Sequence, residues 1–455
     1  MSIRQRLSDP GVRILVLVFA YFLVFHLALT GFNRDDLSNM KIMATFDGPL
    51  GALDYLVDRY EHWSSRTLAD LLMVVFTGIP AIFWKIADTF VAVSCAYLVA
   101  AIAGTLYGTG WRSFIKSAAV VMVVLYPFFD MKTSGWVATT VNYLWPVAGL
   151  MYLGLQASRL TAASCNILKT NKKQIERGEA ALLVIAALWA GAHELVALCA
   201  AVLEAAAIAV LYLKGRRLRL SSFILLAAEL FFVAWAALCP GNAIRNISTA
   251  TSQFPSWDSF STIEHLTMAL AGTFDRLTSL GFYRGGLQSL MMQAALSLLI
   301  WLSVHRRFRS KGLDLLMALP LLLTYLMNQT DVRFWSIWAL MEGMASEHMG
   351  QVRMVYQPVL SMLLAAITAA GLYLAFIREG PRGAIPGLCA ALCYLAGLGT
   401  RLAMGFSCTV YASNTRTYIV LLLSMGVLIV MLSREADLKG MISRAYDRGA
   451  GRAQP

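Results

Sequence analysis

The chain has 455 residues, of which 58% are hydrophobic and only 14% charged, with a formal net charge of +12. A soluble protein carries about a quarter charged residues, so this composition excludes a water-soluble globular domain and indicates an integral membrane protein. The basic residues fall in short clusters between apolar segments rather than along one face, which makes them topology determinants and excludes a nucleic-acid surface.

Arg4 and Arg6 precede a first apolar stretch, 13–31, of about 19 residues with no small-residue cleavage site, so it reads as a retained helix rather than a signal peptide. Apolar segments of spanning length or slightly less recur at 86–108, 117–130, 143–157, 179–192, 194–213, 221–239, 286–304, 313–328, 355–377, 385–402 and 417–433, giving about twelve spans. The expected fold is an all-α polytopic bundle covering 1–433, followed by a short, basic cytoplasmic tail, 434–455. Leu68 to Trp84 is apolar enough to cross, but counting it as a span would put every later basic cluster on the opposite side from Arg4 and Arg6. The positive-inside rule therefore predicts an interfacial or re-entrant helix there, with both termini cytoplasmic.

That assignment gathers the acids and the unusual polar residues outside. Asp35 and Asp36 follow the first span, where a membrane enzyme keeps a base, and 32–85 becomes the first extracytoplasmic loop. Trp63 and Arg66 sit one turn apart before the interfacial helix, a Trp for the headgroup level and an Arg able to hold phosphate. Lys132 lies in the next outer segment, followed by Asn142 and Tyr143 at the mouth of a helix that Pro146 kinks or starts. His193 and Glu194 occupy a tight turn between two apolar helices, where an ionisable pair is costly unless it faces a polar cavity. In Cys239-Pro240-Gly241-Asn242-Ala243-Ile244-Arg245, Pro and Gly end one helix, Asn242 can cap the next and Arg245 adds a fixed cation, together an anion site. Arg333, Arg353 and Arg416 flank outer boundaries against the positive-inside bias, and an anionic ligand would account for them. Glu204 and Glu229 lie inside apolar helices, the feature that most favours a transporter. The cysteines read as small core residues without zinc-type spacing; only Cys239 and Cys408 lie where an outer disulfide could form. No Gly-x-x-x-x-Gly-Lys loop is present, which argues against nucleotide-driven work.

Taken in order, Asp35-Asp36, Trp63 to Arg66, Asn142-Tyr143, His193-Glu194, Pro240-Gly241-Asn242 with Arg245, and Arg416 resemble a family of bacterial polytopic proteins related to the GT-C glycosyltransferases, including those that glucosylate O-antigen. The resemblance covers most of the chain. It implies a GT-C-like bundle in a bacterial inner membrane, with interfacial helices in the first outer loop and a polyprenyl-phosphate sugar as donor. The acceptor would be a cell-envelope glycan or lipid. By the same resemblance one acid of Asp35/Asp36 is the base and the outer arginines hold the lipid phosphate; because a helix leaving the membrane can point only one of two neighbours into the cavity, Asp36 is slightly the less favoured. A large soluble C-terminal domain, as in oligosaccharyltransferases, does not follow the last span.

The residues fit such chemistry on their own terms, because sugar transfer from a lipid phosphate needs a carboxylate for the acceptor proton and cations for the leaving phosphate. No cofactor is required, although adjacent carboxylates could also bind a divalent metal. The competing expectation is a transporter or flippase of a lipid-linked sugar or other anion, using the same arginines without a base.

Overall fold

The computed structural model describes residues 8–29, 31–128, 132, 134–164, 177–216, 218, 220–253, 257–278, 286–329, 347–379, 383–410, 413 and 415–436. Every regular element among them is helical. Eight helices are long and apolar enough to cross a membrane: Pro10–Ala28, Ile82–Leu106, Glu194–Leu213, Leu220–Ala237, Leu287–Phe308, Pro358–Phe376, Ala384–Phe406 and Thr415–Glu435. Helices also occupy the other four expected segments, as Ile115–Leu125, the run from Trp136 to Ser164, Arg177–Gly191 and Lys311–Gln329, but these are shorter or less apolar. The architecture is that of a multi-pass membrane bundle.

Local sequence explains the main boundaries. The first helix has Pro10 at its start, where a missing N–H costs nothing, and Asp9 accepts from the Gly11 N–H at 2.8 Å. Residues 67–78 form a separate helix, about 18 Å long at 1.5 Å per residue, which is short of the ~30 Å hydrocarbon core. It ends before Pro80, and Trp84 belongs to the following long helix, Ile82–Leu106. With Asp35–Met43 and Gly48–His62 it makes the first long connection a set of three short helices. Gly48–His62 leaves Leu50, Leu53 and Val57 exposed at helical spacing, an apolar stripe of the kind that lies in a membrane interface. In the helical run from Trp136 to Ser164, the turn Thr140–Leu144 is a wide π turn. It ends two residues before Pro146, which has no N–H for the carbonyl four residues back and so favours such an adjustment.

The two ends of the bundle differ. At one, Glu435 accepts from the Tyr107 hydroxyl at 2.5 Å, from Arg378 at 2.6 and 3.0 Å, and from Arg307 at 3.3 Å. Arg112 pairs with Asp9 there as well. At the other end the short helices of the first connection and the turns beside them meet the ends of later helices, through Arg66 to the start of Glu194–Leu213, Tyr60 to Trp235 in the last turn of Leu220–Ala237, and Ser65 to Asn242 in the first turn of Pro240–Gln253. Where the first helix ends, His26 in its last turn and Asp88, near the start of Ile82–Leu106, form a fully buried pair at 2.8 Å. Trp145 donates to the other Asp88 oxygen at 2.7 Å, and Thr89 and the Phe22 carbonyl complete the His26 ring. This pins three helices together near their termini with the hydrogen bonds of the pair satisfied, as buried polar groups require.

Candidate functional site

Tyr143, in the π turn, is the centre of the polar end. The Arg66 guanidinium lies 5.3 Å from its ring centroid and donates to its hydroxyl at 3.3 Å. Arg416 lies 5.8 Å from the same ring, and the His193 ring packs against it at 5.1 Å. Arg66 in turn grips Glu194 with two parallel bonds, Nε to Oε2 at 2.8 Å and Nη2 to Oε1 at 2.5 Å, the fork geometry that Arg alone provides. Glu194 opens the Glu194–Leu213 helix, where the dipole favours an acid.

His193 is the N-cap of that helix, its Nδ1 accepting from the Leu195 N–H at 3.3 Å. Burial and then the Arg66 charge push its pKa down to about 3, so the ring is neutral and its proton sits on Nε2. That buried Nε2 has no partner among the described residues. Asn242 lies in the first turn of Pro240–Gln253 and does not cap it; its amide donates back to the Ala236 carbonyl at 2.9 Å and to Ser65 at 3.2 Å. Its oxygen accepts from Arg245 at 3.4 Å. The close approach is possible because Gly241 has no side chain: a Cβ there would lie 2.2 Å from the Trp63 nitrogen.

The charges do not cancel. Glu194 neutralises Arg66, and Asp70 pairs with Arg59. Arg245 and Arg416 have no carboxylate within ion-pair distance among the described residues, and the Arg416 Nε is buried without a partner. Burial, with the like charge of Arg66, works against the protonated form of Arg245. Held cations and an orphan imidazole N–H around one aromatic ring form a place for an anion.

The acid pair is divided. Asp35 is exposed, its backbone N–H donating to the Ser134 carbonyl at 3.1 Å. Asp36 is fully buried and accepts from the Ala138 N–H at 2.8 Å and the Val137 N–H at 3.4 Å, so it caps the helical run that carries Tyr143. Gly135 makes this possible with φ +112; a Cβ there would lie 2.5 Å from the Asp36 carboxylate. Burial outweighs the N–H donors and raises the Asp36 pKa to about 6. Asp36, the less favoured acid by sequence, is thus the inward one. One carboxylate of the adjacent pair is thus buried and the other exposed. The N–H groups that Asp36 accepts from, on Val137 and Ala138, lie between one and two turns before Tyr143 on the run.

The remaining expected residues separate. Lys132 is exposed and makes no side-chain hydrogen bond or ion pair among the described residues. Asn142 faces Met73 and bonds back to the Ala138 carbonyl at 2.9 Å, with its oxygen buried and unpartnered. Arg333 lies outside the described residues, as does the Arg353 side chain, although Arg353 falls within the Glu347–Phe376 helix. Cys239 and Cys408 are both free thiols, directed to the Tyr60 carbonyl and to Asn246, so they form no disulfide. Sequence reasoning missed the His26–Asp88 pair and the buried Arg401, each hidden inside an apolar run where a lone ionisable residue was itself the available signal.

No protein-family model, curated protein or solved structure matches the chain.

Proposed function

We propose that this chain is a membrane glycosyltransferase. It takes a sugar from a polyprenyl-phosphate donor and gives it to a glycan or lipid acceptor at the extracytoplasmic face of a bacterial inner membrane. In this reading the bundle is GT-C-like with about twelve spans, and the Glu435 end, rich in arginine, is cytoplasmic. The observation that carries the proposal is the convergence of Arg66, Arg245 and Arg416 around Tyr143, with an excess of cations, on a helical run whose first N–H groups are held by the buried Asp36 carboxylate. The arginines take the charge that develops on the leaving phosphate, and Tyr143 offers a ring face to the sugar. Asp36, with a pKa raised towards neutrality, takes the acceptor hydroxyl's proton once the Gly135 turn opens. The reaction needs no cofactor from these residues.

The test is binding of a short-chain polyprenyl phosphate to the purified protein in nanodiscs, followed by transfer of a labelled sugar. Arg245→Ala should weaken binding about 10- to 100-fold, the loss of a charge-assisted bond, and Arg245→Lys should fall between because it keeps charge without the fork. Unchanged affinity in Arg245→Ala would remove this assignment.

A transporter or flippase is the second reading, and one observation favours it. Glu229 is fully buried mid-helix with both carboxyl oxygens unpartnered among the described residues, beside the buried Glu204 of the preceding helix. Such an acid must hold a proton or a cation in hydrocarbon. Substrate movement in sealed vesicles that is abolished by Glu229→Gln, with no sugar transfer by the wild type, would establish this reading instead.

A further inference from the structure

Arg401 is fully buried in the last turn of Ala384–Ala403, and no carboxylate lies within ion-pair distance of it among the described residues. A buried guanidinium without an acid is expensive, so its neighbours must replace water donor by donor. Its Nε donates to the Thr273 hydroxyl at 3.4 Å, Nη1 to the Thr417 hydroxyl, and Nη2 to the Val410 carbonyl at 3.5 Å. The guanidinium also stacks 3.9 Å from the centroid of the Tyr418 ring, whose hydroxyl donates to the Gly272 carbonyl at 2.9 Å. Arg401 therefore joins helix Thr262–Thr278, the chain at Val410 and the turn Thr415–Tyr418.

That turn carries Arg416. It is a 3₁₀ turn, in which successive side chains diverge by about 120°, so a turn that shows Thr417 and Tyr418 to Arg401 sends Arg416 elsewhere. It sends Arg416 to Tyr143. We propose that Arg401 is a positioning residue for the anion site: it fixes the Thr415–Tyr418 turn and thereby holds Arg416 over the Tyr143 ring. A lysine could keep the charge at 401 but not reach three acceptors and a ring together. The inference rests on the reading of the Tyr143 cluster as a phosphate site.

The experiment is a double-mutant cycle on affinity for a short-chain polyprenyl phosphate in nanodiscs, using wild type, Arg401→Gln, Arg416→Ala and the double variant. Arg416→Ala should weaken binding about tenfold. Arg401→Gln should approach that loss, and the double variant should bind no more weakly than Arg416→Ala alone, since Arg401 acts through Arg416. A packing role unrelated to Arg416 would instead multiply the two losses, and that result, or an unaltered affinity in Arg401→Gln, overturns the proposal while leaving the phosphate site intact. Absence of binding by the wild type overturns the site itself. Should Arg401→Gln fail to yield a monodisperse protein, Thr417→Val carries the same comparison, with a smaller loss that must vanish in the Arg416→Ala background.

Discussion

Asp36→Asn separates a catalytic acid from a structural one because asparagine can still accept the Ala138 N–H and cap the helix. Burial raises the Asp36 pKa from 3.8 to about 6. A group whose folded pKa exceeds its unfolded value binds its proton more tightly in the fold, so its contribution is most favourable below about 4 and is lost as pH rises through 6. At pH 7.5 the ionised form costs about 3 kcal/mol, from roughly two units at 1.36 kcal/mol each. Asparagine removes that cost and sacrifices about 1 kcal/mol of hydrogen-bond strength. The variant should therefore be more stable than wild type by about 1–2 kcal/mol at pH 7.5, with the difference shrinking and reversing towards pH 4. Tryptophan fluorescence during thermal unfolding in detergent, from pH 4 to 8, measures this. Transfer should fall about 100- to 10,000-fold, and wild-type activity should decline as pH drops below about 6. A wild-type rate in Asp36→Asn, or equal stability at both ends of the pH range, would refute the reasoning; loss of transfer in Asp35→Asn alone would move the base to the exposed acid.

Gly241→Ala should destabilise the protein by about 1–3 kcal/mol, because the new Cβ meets only backbone atoms, which cannot yield. Thermal unfolding checks this, and an unchanged midpoint would show that the two helices are not packed this closely. The topology is tested by thiol labelling of whole cells: Ser38→Cys and Ser248→Cys, both exposed, should react from outside, and Lys116→Cys only after permeabilisation. Opposite-sided labelling of the first two would sink the assignment of 68–84.

The helices were legible because a run of apolar residues long enough to span is a strong and local signal. The gathering of Arg66, Tyr143, His193, Glu194, Asn242, Arg245 and Arg416 was legible too, through the positive-inside rule, which put their segments at one end without showing which would touch. Orientation was not legible. Which of Asp35 and Asp36 turns inward depends on the positive φ of Gly135, a hundred residues along the chain, and sequence adjacency carries no trace of it. Arg401 and the His26–Asp88 pair escaped for a related reason: each lies inside a hydrophobic run, and its partners are set by packing between helices remote in sequence.

The Glu435 network gives the bundle a fulcrum. One carboxylate fastens the ends of helices bearing Tyr107, Arg307 and Arg378, so relative tilting of those helices is small there and grows with distance from it. In the proposed glycosyltransferase, a widening that admits a long-chain lipid would then come at the Tyr143 end. Loosening the fulcrum, as in Glu435→Gln, would spread that freedom along the whole bundle, and in the proposed glycosyltransferase it would weaken the restriction of ligand exchange to one end.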